Sequence, residues 1–351
     1  MPTKDELKML QSLPLEVKVL KTQQRIREWV TYYGVEGVYV SFSGGKDSTV
    51  LLHLVRELYP DVEAVFVNTG LEYPEIQRFV KTFDNVTVIY PKKTFKQVIT
   101  EYGYPVIGKE VAECVENAKL CEKNHGNHYI EHYYKLTGEF PTKRIEQLYG
   151  SDKILKWYDF SRYKALKDVD FNISSRCCGI MKKSPAKSHA KGKAGITAQM
   201  ASESALRTQK WLQNGCNGFN LKKPISNPMS FWKDNDVLQY IKENNLPLAS
   251  VYGNIVPEGG QMTFDGCDSK LCTTGCERTG CIFCGFGAHL EKGEGRFERL
   301  KRTHPKQYDF CINGGAYDDN GIWKPDNKGL GMGHVFDVLN SLYGKDFIKY
   351  K

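Results

Sequence analysis

A chain of 351 residues can bury a large core and can hold one large domain or two smaller ones. Its hydrophobic content of 40% and charged content of 26% are typical of soluble proteins, and no apolar run approaches the ~18 residues of a membrane span. The first residues are polar and lack the apolar segment of a secretory signal, so we expect a cytoplasmic protein with no membrane partner. The net charge of +8 fits an anionic partner such as a nucleotide or a nucleic acid.

The first predicted element is a helical segment over residues 4–33, which Pro14 divides in two. We assign residues 1–34 to this N-terminal segment. A strand follows, because Val38, Val40 and Phe42 alternate with other residues in a β-branched and aromatic stretch. An amphipathic helix is then predicted from about Asp47 onward.

Between that strand and that helix lies the sequence Ser43-Gly44-Gly45-Lys46-Asp47-Ser48. Two glycines allow a sharp turn in which the backbone can approach a ligand closely. The helix directs its unpaired N–H groups and the positive end of its dipole into this turn, and Lys46 adds a full positive charge. The segment therefore predicts a phosphate-binding loop. It is not a Walker A loop, because Val40 stands where that motif needs glycine, and Asp47 follows Lys46 where serine or threonine is needed.

Further strands are predicted at 62–67 and 86–90, with helices between the strands. This alternation predicts an α/β fold with a doubly wound, mainly parallel sheet. The second strand ends in Asn68-Thr69-Gly70, which such a sheet places near the phosphate-binding loop. We assign residues 35–255 to this nucleotide-binding domain, with a helical insertion at about 105–175 that shapes the substrate pocket.

A basic run follows the insertion, and it has two interpretations. It is either a solvated helix face or a patch that meets the phosphates of a nucleotide or nucleic acid. Its members are Lys182, Lys183, Lys187, His189, Lys191 and Lys193.

The run leads to another predicted strand at 195–198 and to a helix that we expect Ser202 to cap. Glu203 then falls in the first turn, and Arg207 points back toward the carboxyl edge of the sheet. The next helix is predicted over 232–244, with Asp234 as its cap.

Residues 256–351 form the predicted cysteine-rich and C-terminal helical region. Five of the chain's eleven cysteines fall between 267 and 284, and in a reducing compartment such a cluster more often binds metal than forms disulfides. Cys281 and Cys284 have the two-residue spacing that lets both thiolates reach one metal at a tight turn. With Cys272 and Cys276 they would make a local structural zinc site.

The loop Ser43–Ser48 resembles the PP-loop of the N-type ATP pyrophosphatases, whose hallmark is Ser-Gly-Gly-x-Asp-Ser. Several stretches together resemble the phosphoadenylyl-sulfate (PAPS) reductase branch of that superfamily, close to the branch that includes the DNA-phosphorothioation pyrophosphatases. Besides the loop, they are Asn68-Thr69-Gly70 with Glu72-Tyr73-Pro74-Glu75, Cys177-Cys178, Ile196 to Arg207, Phe231-Trp232 and Cys281 to Cys284. The resemblance implies an adenine nucleotide held by Ser43, Gly44, Gly45, Lys46, Asp47, Ser48, Asn68, Thr69 and Gly70.

The chain departs from the reductases in three ways. It keeps the whole loop, including the Lys-Asp-Ser half that the reductases usually lose, and this favours ATP. It has Met200-Ala201-Ser202-Glu203 where the reductases carry two arginines for a second anionic group. Its last residues contain no Glu-Cys-Gly motif, and Cys311, the nearest cysteine, lies in different surroundings.

Two metal sites compete, and a third possibility is thiols that bind nothing. Resemblance to adenylyl-sulfate reductases, which pair a Cys-Cys with a Cys-x-x-Cys, implies a four-iron four-sulfur cluster. Its ligands would be Cys178, Cys276, Cys281 and Cys284, with Cys177 and Cys272 as alternates. The local zinc site would leave the Cys177-Cys178 pair unexplained, so we favour iron. Cys267 is spare in either case, and Cys114 and Cys121 are expected to pack a helix.

Three functions are open at this point. The first is an ATP-dependent enzyme that adenylates a substrate and releases pyrophosphate, with Mg²⁺ and with Lys46, Asp47, Glu203 and Arg207 as catalytic residues. It would serve sulfur transfer to a nucleic acid or a small molecule, with a sulfur-donor protein as a possible partner. The second is a sulfonucleotide reductase that releases sulfite with an external or unusual thiol. The third is a nucleotide sensor or nucleic-acid-binding module without catalysis.

Overall fold

The computed structural model of the chain describes residues 2–121, 124, 126–149, 159–259 and 270–351. Its α-helices are α1 Lys4–Gln11, α2 Leu15–Tyr33, α3 Lys46–Leu58, α4 Pro74–Val80, α5 Phe95–Tyr102, α6 Lys109–Cys121, α7 Asn127–Thr137, α8 Lys143–Tyr149, α9 Ser184–His189, α10 Ala205–Asn214, α11 Asp234–Glu243, α12 Arg296–Thr303, α13 Pro305–Ile312 and α14 Met332–Tyr343. Its strands are β1 Val38–Ser41, β2 Ala64–Val67, β3 Val86–Ile89, β4 Val106–Ile107, β5 Ala194–Ile196, β6 Asn217–Gly218, β7 Ile225–Ser226, β8 Ile255–Pro257, β9 Leu271–Thr273, β10 Gly285–Phe286, β11 Ala316–Tyr317 and β12 Trp323–Lys324.

The chain forms two compact units, each built from two separate stretches. The first unit contains Met1–Pro91 and Ser184–Gly280, and the second contains Lys92–Lys183 and Cys281–Lys351. The sequence-based boundaries at 34/35 and 255/256 stay a prediction, and the two units divide the chain at other points.

The first unit is built on a six-stranded sheet with the order β3-β2-β1-β5-β7-β6. Pairings from β3 through β7 are parallel, and the edge strand β6 runs antiparallel to β7. The chain moves from β1 to β2 and β3 on one side, and β5 and β7 lie on the other side. The strand order therefore reverses between β1 and β5, which is where open α/β sheets bind their ligands. The predicted α/β fold with a mainly parallel sheet is confirmed.

The centre of this sheet is apolar, as the alternation in the sequence predicts. Val38 and Val40 are 0% exposed, and Phe42, directly after β1, is 1% exposed. Helix α3 covers the strand with Val50, Leu54 and other residues that are fully buried. One face of β1, formed by Val38 and Val40, is therefore buried under α3, and the predicted phosphate-binding loop begins directly after Phe42.

The second unit is mainly helical. Helices α6 and α7 pack against each other, and Cys121, Ile130 and Ile145 of α6, α7 and α8 share one buried cluster. Cys114 and Cys121 are buried on α6, so their predicted packing role is confirmed. The short strands β4 and β10 pair in parallel, and β11 and β12 form an antiparallel hairpin.

Two predicted helix caps are wrong. Ser202 lies in a 3₁₀ turn over Ala201–Glu203, and the cap of α10 is Ser204, whose hydroxyl accepts the Arg207 amide at 3.3 Å. Asp234 is the first residue of α11 rather than its cap, because Asp236 accepts the Lys233 amide at 2.7 Å. Its carboxylate makes an ion pair that a capping role would not predict.

Among the described residues, no helix combines the length and the apolar character that spanning a membrane requires.

Candidate functional site

The phosphate-binding loop is held in shape by its own two serines. The Ser43 amide donates to the Ser48 hydroxyl at 3.2 Å, and the two hydroxyls lie 3.0 Å apart. Ser48 also donates to the carbonyl of Gly45 at 2.9 Å, as does Thr49 at 3.1 Å. These bonds tie the end of β1 to the first turn of α3 and so order the loop.

Position 44 requires glycine for two reasons, its backbone angle and the side chains that surround it. Its φ of +71° lies in the left-handed region, and a Cβ there would come within 2.8 Å of the Ile76 and Val80 methyl groups on α4. At Gly45 a Cβ would stand 3.2 Å from the hydroxyls of Tyr252 and Thr279. The glycines thus let the loop pass between α4 and the segment that carries these hydroxyls.

We expect Gly44→Ala to lower the free energy of unfolding by about 2–4 kcal/mol, because strain and overpacking add. Gly70→Ala is the matched control, because Gly70 has a φ of +73° but nothing within 4 Å of its Cβ position. It should cost only about 1–2 kcal/mol, the strain alone. Urea unfolding of both variants measures the difference, and equal costs would contradict the close packing on α4.

Lys46 is the buried cation of the loop, with a side chain that is 4% exposed. Its Nζ lies 2.8 Å from Asp47 Oδ1 and 2.8 Å from Asp234 Oδ1. Burial alone would lower the pKa of this ammonium group, but the carboxylates of Asp47 and Asp234 outweigh it and raise the pKa. Lys46 is therefore charged at neutral pH and presents a fixed positive charge at the start of α3.

The first amide of α3 also forms a hydrogen bond with a residue from a distant part of the chain. The Lys46 amide donates to the Tyr252 hydroxyl at 3.1 Å, and that hydroxyl lies 2.8 Å from Thr279 Oγ1. Sequence reasoning missed Asp234, Tyr252 and Thr279. A local pattern could not have indicated them, since Asp234 and Tyr252 are 188 and 206 positions from Lys46.

A line of alternating charges continues from Lys46 across the carboxyl edge of the sheet. Arg278 Nη2 lies 3.4 Å from Asp234 Oδ2, and its Nη1 lies 3.6 Å from Glu203 Oε1. Glu203 in turn makes a close ion pair with Arg207. The pKa of Arg207 is lowered, first by burial and then by the neighbouring charge of Arg278.

The predicted catalytic residues Lys46, Asp47, Glu203 and Arg207 therefore belong to one connected set in the first unit, with Asp234 and Arg278 between them. The side chains of Asp234 and Arg278 are 51% and 55% exposed, so this set is open to a ligand from solvent. Sequence reasoning also missed Arg278, which lies within the cysteine-rich segment. The set offers two arginines and a lysine for phosphate oxygens and three carboxylates for a cation.

The turn Asn68-Thr69-Gly70 follows β2 at the same edge of the sheet. Glu72 accepts the Thr69 amide at 3.0 Å and the Thr69 hydroxyl at 2.7 Å. The Asn68 side chain accepts the Gly70 amide at 3.0 Å. The turn is thus ordered by its own side chains, and its contact with an adenine ring stays a prediction.

Four cysteines come together in the second unit. The pKa of the Cys177 thiol is raised by burial and then by the neighbouring thiols of Cys178, Cys281 and Cys284. Burial also raises the pKa of Cys284, against the opposing effects of the Phe286 amide and of Arg296. The Cys177-Cys178 pair directly precedes a π-helical turn at Gly179–Lys183, a distortion that is frequent at functional sites.

The Cys281-to-Cys284 turn is fixed by the strand that follows it. The Cys284 amide donates to the Cys281 carbonyl at 3.1 Å, and Gly285 then begins β10. A Cβ on Gly285 would stand 2.8 Å from the Pro105 carbonyl, so only glycine lets β10 approach β4 this closely. The close pairing of β10 with β4 therefore fixes the turn that carries the Cys281 and Cys284 thiols.

The donor chemistry of these four thiols fits a metal cluster. Thiolates that share one zinc ion at about 2.3 Å lie about 3.8 Å apart. Among the described residues, no three thiol sulfurs lie within 4.8 Å of one another. Four thiolate donors are the ligands of a four-iron four-sulfur cluster and also of a structural zinc ion, so the choice of iron stays a prediction.

The remaining cysteines of the cysteine-rich segment are placed differently. Cys272 lies on β9 and Cys276 is buried, and both belong to the first unit. Cys267 falls outside the described residues. The structure thus groups the Cys177-Cys178 pair with Cys281 and Cys284, whereas Cys276 stays a predicted ligand without support from this grouping.

Cys311, the cysteine nearest the end of the chain, is inside the core of the second unit. It is 0% exposed, its Sγ lies 3.5 Å from the sulfur of Met332, and burial raises the pKa of its thiol well above the ordinary value. A nucleophilic thiol needs exposure and a lowered pKa. Cys311 therefore does not fit the role of a catalytic thiol.

The family model for the phosphoadenosine phosphosulfate reductase domain matches residues 37–285, more than half of the chain. The chain belongs to this family. The match covers the phosphate-binding loop, the sheet, the Glu203–Arg207 segment and the cysteine turn. Family membership establishes an enzyme fold of the PP-loop and sulfonucleotide reductase kind and a link to sulfur metabolism, and it leaves the reaction to be determined.

Individual relatives match over shorter stretches. A phosphoadenosine 5'-phosphosulfate reductase of Xylella fastidiosa is 32% identical over 82 residues, which are 23% of this chain and 34% of that protein. An uncharacterised protein of Methanocaldococcus jannaschii is 29% identical over 113 residues, which are 31% of this chain and 26% of that protein. The chain thus spans about a third or less of the length of these relatives.

Among solved structures, the phosphoadenylyl-sulfate reductase of Candida auris in its phosphate complex is 14% identical. The superposition has a TM-score of 0.36 and covers 71% of this chain and 91% of that one.

The basic run is partly neutralised. His189 Nε2 and Lys193 Nζ lie 3.1 and 2.8 Å from the two oxygens of Glu63. Lys183, Lys187 and Lys191 are exposed. Two members of the run thus have a structural partner and three are exposed, and a contact of the run with phosphates stays a prediction.

Proposed function

We propose that the first unit binds ATP and promotes cleavage between its α- and β-phosphates, with transfer of the adenylyl group to an acceptor. The observation that carries this proposal is the complete Ser43–Ser48 loop with a buried, charged Lys46. A substrate without a pyrophosphate group would not need this cation at the start of α3. The positive end of the α3 dipole lies at the same place and favours phosphate oxygens.

The chemistry assigned to the residues is positioning and charge stabilisation. An acceptor oxygen attacks the α-phosphorus, the bond from that phosphorus to the bridging oxygen breaks, and pyrophosphate leaves with the bonding electrons. The acceptor's proton passes to solvent. Lys46 offsets the charge that develops on pyrophosphate, and Arg207 and Arg278 stand at the edge of the sheet to meet the α-phosphate.

Two cofactors fit the side chains that are present. Asp47, Asp234 and Glu203 offer carboxylate oxygens, the donors that Mg²⁺ prefers, and a bound Mg²⁺ would neutralise phosphate charge. Cys177, Cys178, Cys281 and Cys284 would hold a four-iron four-sulfur cluster, which would supply redox or sulfur-carrying chemistry. Both assignments are part of this proposal.

The adenylated acceptor would then receive sulfur from a donor that displaces AMP. The acceptor is a nucleic acid or a small molecule, and a sulfur-donor protein is the expected partner. Exposed Lys183, Lys187 and Lys191 and the net charge of +8 support a polyanionic acceptor. We also expect the protein to act in the cytoplasm, where thiols stay reduced.

The competing function is a sulfonucleotide reductase. It needs a nucleophilic thiol, and the buried Cys311 does not provide one. A nucleotide sensor without catalysis is the other candidate, and the continuous charge set from Lys46 to Arg207 argues for catalysis over sensing.

Product analysis tests the proposal. The anaerobic protein is incubated with Mg-ATP and a pool of RNA, DNA or small-molecule acceptors, and the phosphorus products are resolved by ³¹P NMR. We expect pyrophosphate together with AMP or an adenylated acceptor. ADP with inorganic phosphate would overturn the assigned cleavage site, and sulfite release from a sulfonucleotide with a supplied thiol would establish the reductase instead.

A further inference from the structure

Two histidines and a glutamate lie together on the helix pair α6–α7 of the second unit. Glu113 is on α6, and His128 and His132 are on α7. One oxygen of Glu113 and one ring nitrogen of each histidine all lie within 4.8 Å of one another. Within the described part of the chain, no other group of three or more histidine, cysteine or acidic ligand atoms is this compact.

The sequence and the packing of the helices explain why these side chains meet. Residues four apart on a helix lie on the same face, and the rings of His128 and His132 are 4.2 Å apart between centroids. Beneath them, Cys121 of α6 and Ile130 of α7 are buried in one cluster. The core therefore fixes α6 against α7 and holds Glu113 beside the two rings.

The protonation of one ring is set by a backbone contact. His132 Nδ1 lies 2.7 Å from the carbonyl oxygen of His128. A carbonyl can only accept a hydrogen bond, so Nδ1 carries the proton and Nε2 of the neutral ring keeps its lone pair. This is the arrangement by which a backbone carbonyl orients a metal-binding histidine.

We propose that Glu113, His128 and His132 bind a divalent transition-metal ion of the zinc class. Two imidazole nitrogens and one carboxylate oxygen are zinc ligands, whereas Mg²⁺ and Ca²⁺ prefer oxygen alone. Glu113 and His128 are exposed and His132 is partly buried, so water completes the coordination. Glu131, between the histidines, pairs with Lys135 at 3.0 Å, and this pairing compensates its charge.

The bound ion would join α6 to α7, because its ligands come from both helices. Metal that binds the folded state alone stabilises that state in proportion to its saturation. The site is independent of the proposed ATP chemistry, since none of its residues belongs to the nucleotide loop or to the four-thiol group.

Cobalt(II) is the probe that distinguishes this site from the cysteines, because thiolate ligands add an intense sulfur-to-cobalt absorption that imidazole and carboxylate do not. The full chain, purified anaerobically with its thiol sites loaded, is titrated with Co²⁺ and then with Zn²⁺ in competition. We expect one further ion per chain, without the sulfur band, and a rise in the melting temperature. His128→Ala, His132→Ala and the isosteric Glu113→Gln should each weaken this binding roughly tenfold or more.

His53→Ala is the matched control, because His53 lies 4.0 Å from Glu57 at the same four-residue spacing but has only two ligand groups. It should leave the binding unchanged. Circular dichroism shows whether each variant is folded, and the three substitutions lie at exposed or partly exposed positions. Binding that keeps the sulfur band, binding that survives in all three variants, or no ion beyond the thiol sites would each overturn the proposal.

Discussion

Replacing Lys46 with methionine is expected to weaken ATP binding roughly 30- to 1000-fold, a cost of about 2–4 kcal/mol. The side chain is 4% exposed and stands at the start of α3 between two carboxylates. Methionine keeps much of the length and apolar contact of lysine but removes the charge. A phosphate group entering the loop would then meet Asp47 and Asp234 without the buried lysine charge, and only Arg278 would remain beside Asp234. Isothermal titration calorimetry with Mg-ATP measures the loss.

Lys18→Met is the matched control for that experiment. Lys18 is also buried, and its Nζ lies 2.7 Å from Asp236, two residues after Asp234 on α11. Its removal leaves the Asp236 carboxylate, which is 13% exposed, without its ion-pair partner, so we expect a loss of stability without a loss of ATP affinity. If both substitutions weakened ATP binding equally, a general effect on α11 would explain the result and the role assigned to Lys46 would be wrong.

Replacing Cys284 with alanine is expected to remove the iron from the anaerobically purified protein. A four-iron four-sulfur cluster held by four thiolates contains about four iron atoms per chain, and it rarely survives the loss of one ligand. We expect a brown wild-type protein and a nearly colourless variant. Iron and sulfide analysis, with the visible absorption spectrum, measures the change.

Cys114→Ala is the matched control for the substitution in the four-thiol group. Cys114 is buried on α6 in the same unit, and burial raises the pKa of its thiol to about 12, so it resembles Cys177 in burial but lies outside the four-thiol group. It should keep the iron. A colourless wild-type protein that contains zinc would exclude the cluster, and iron retained in Cys284→Ala would remove Cys284 from its ligands.

The part of the site that could be predicted from sequence is the part that is local in the chain. Alternation in β1, the Gly-Gly pair and the apolar stripe of α3 are contiguous, so the loop and its place at the end of a strand followed directly. The α/β fold followed in the same way from alternating strands and helices. Glu203 and Arg207 were found because they lie in a stretch that resembles the family, although Glu203 precedes α10 rather than lying in its first turn.

The rest of the site depends on tertiary contacts that no local pattern encodes. The sequence indicated only a helix-cap role for Asp234, which the structure contradicts, and its distance of 2.8 Å from Lys46 shows another role. Tyr252 and Thr279 carry hydroxyls in segments with no periodic signal. Arg278 lies among cysteines whose spacing predicts a metal site, and nothing in that pattern indicates an arginine that binds Asp234 and Glu203.

The cysteines show the same limit. Cys276 and Cys281 are close in sequence, yet they belong to different units of the structure. Cys177 and Cys178 lie about a hundred positions earlier in the chain. The thiols of Cys178, Cys281 and Cys284 nevertheless all raise the pKa of the Cys177 thiol. Short spacing identifies thiols that can share a metal, but it could not indicate that the Cys177-Cys178 pair lies with Cys281 and Cys284.

The proposed function requires that the first unit binds ATP in preference to a sulfonucleotide. The most direct test is calorimetric titration of the anaerobic wild-type protein with Mg-ATP, adenylyl sulfate and phosphoadenylyl sulfate, side by side. The complete loop predicts that Mg-ATP binds most tightly and that the advantage disappears in Lys46→Met. Tighter binding of either sulfonucleotide, unaffected by Lys46→Met, would contradict the account.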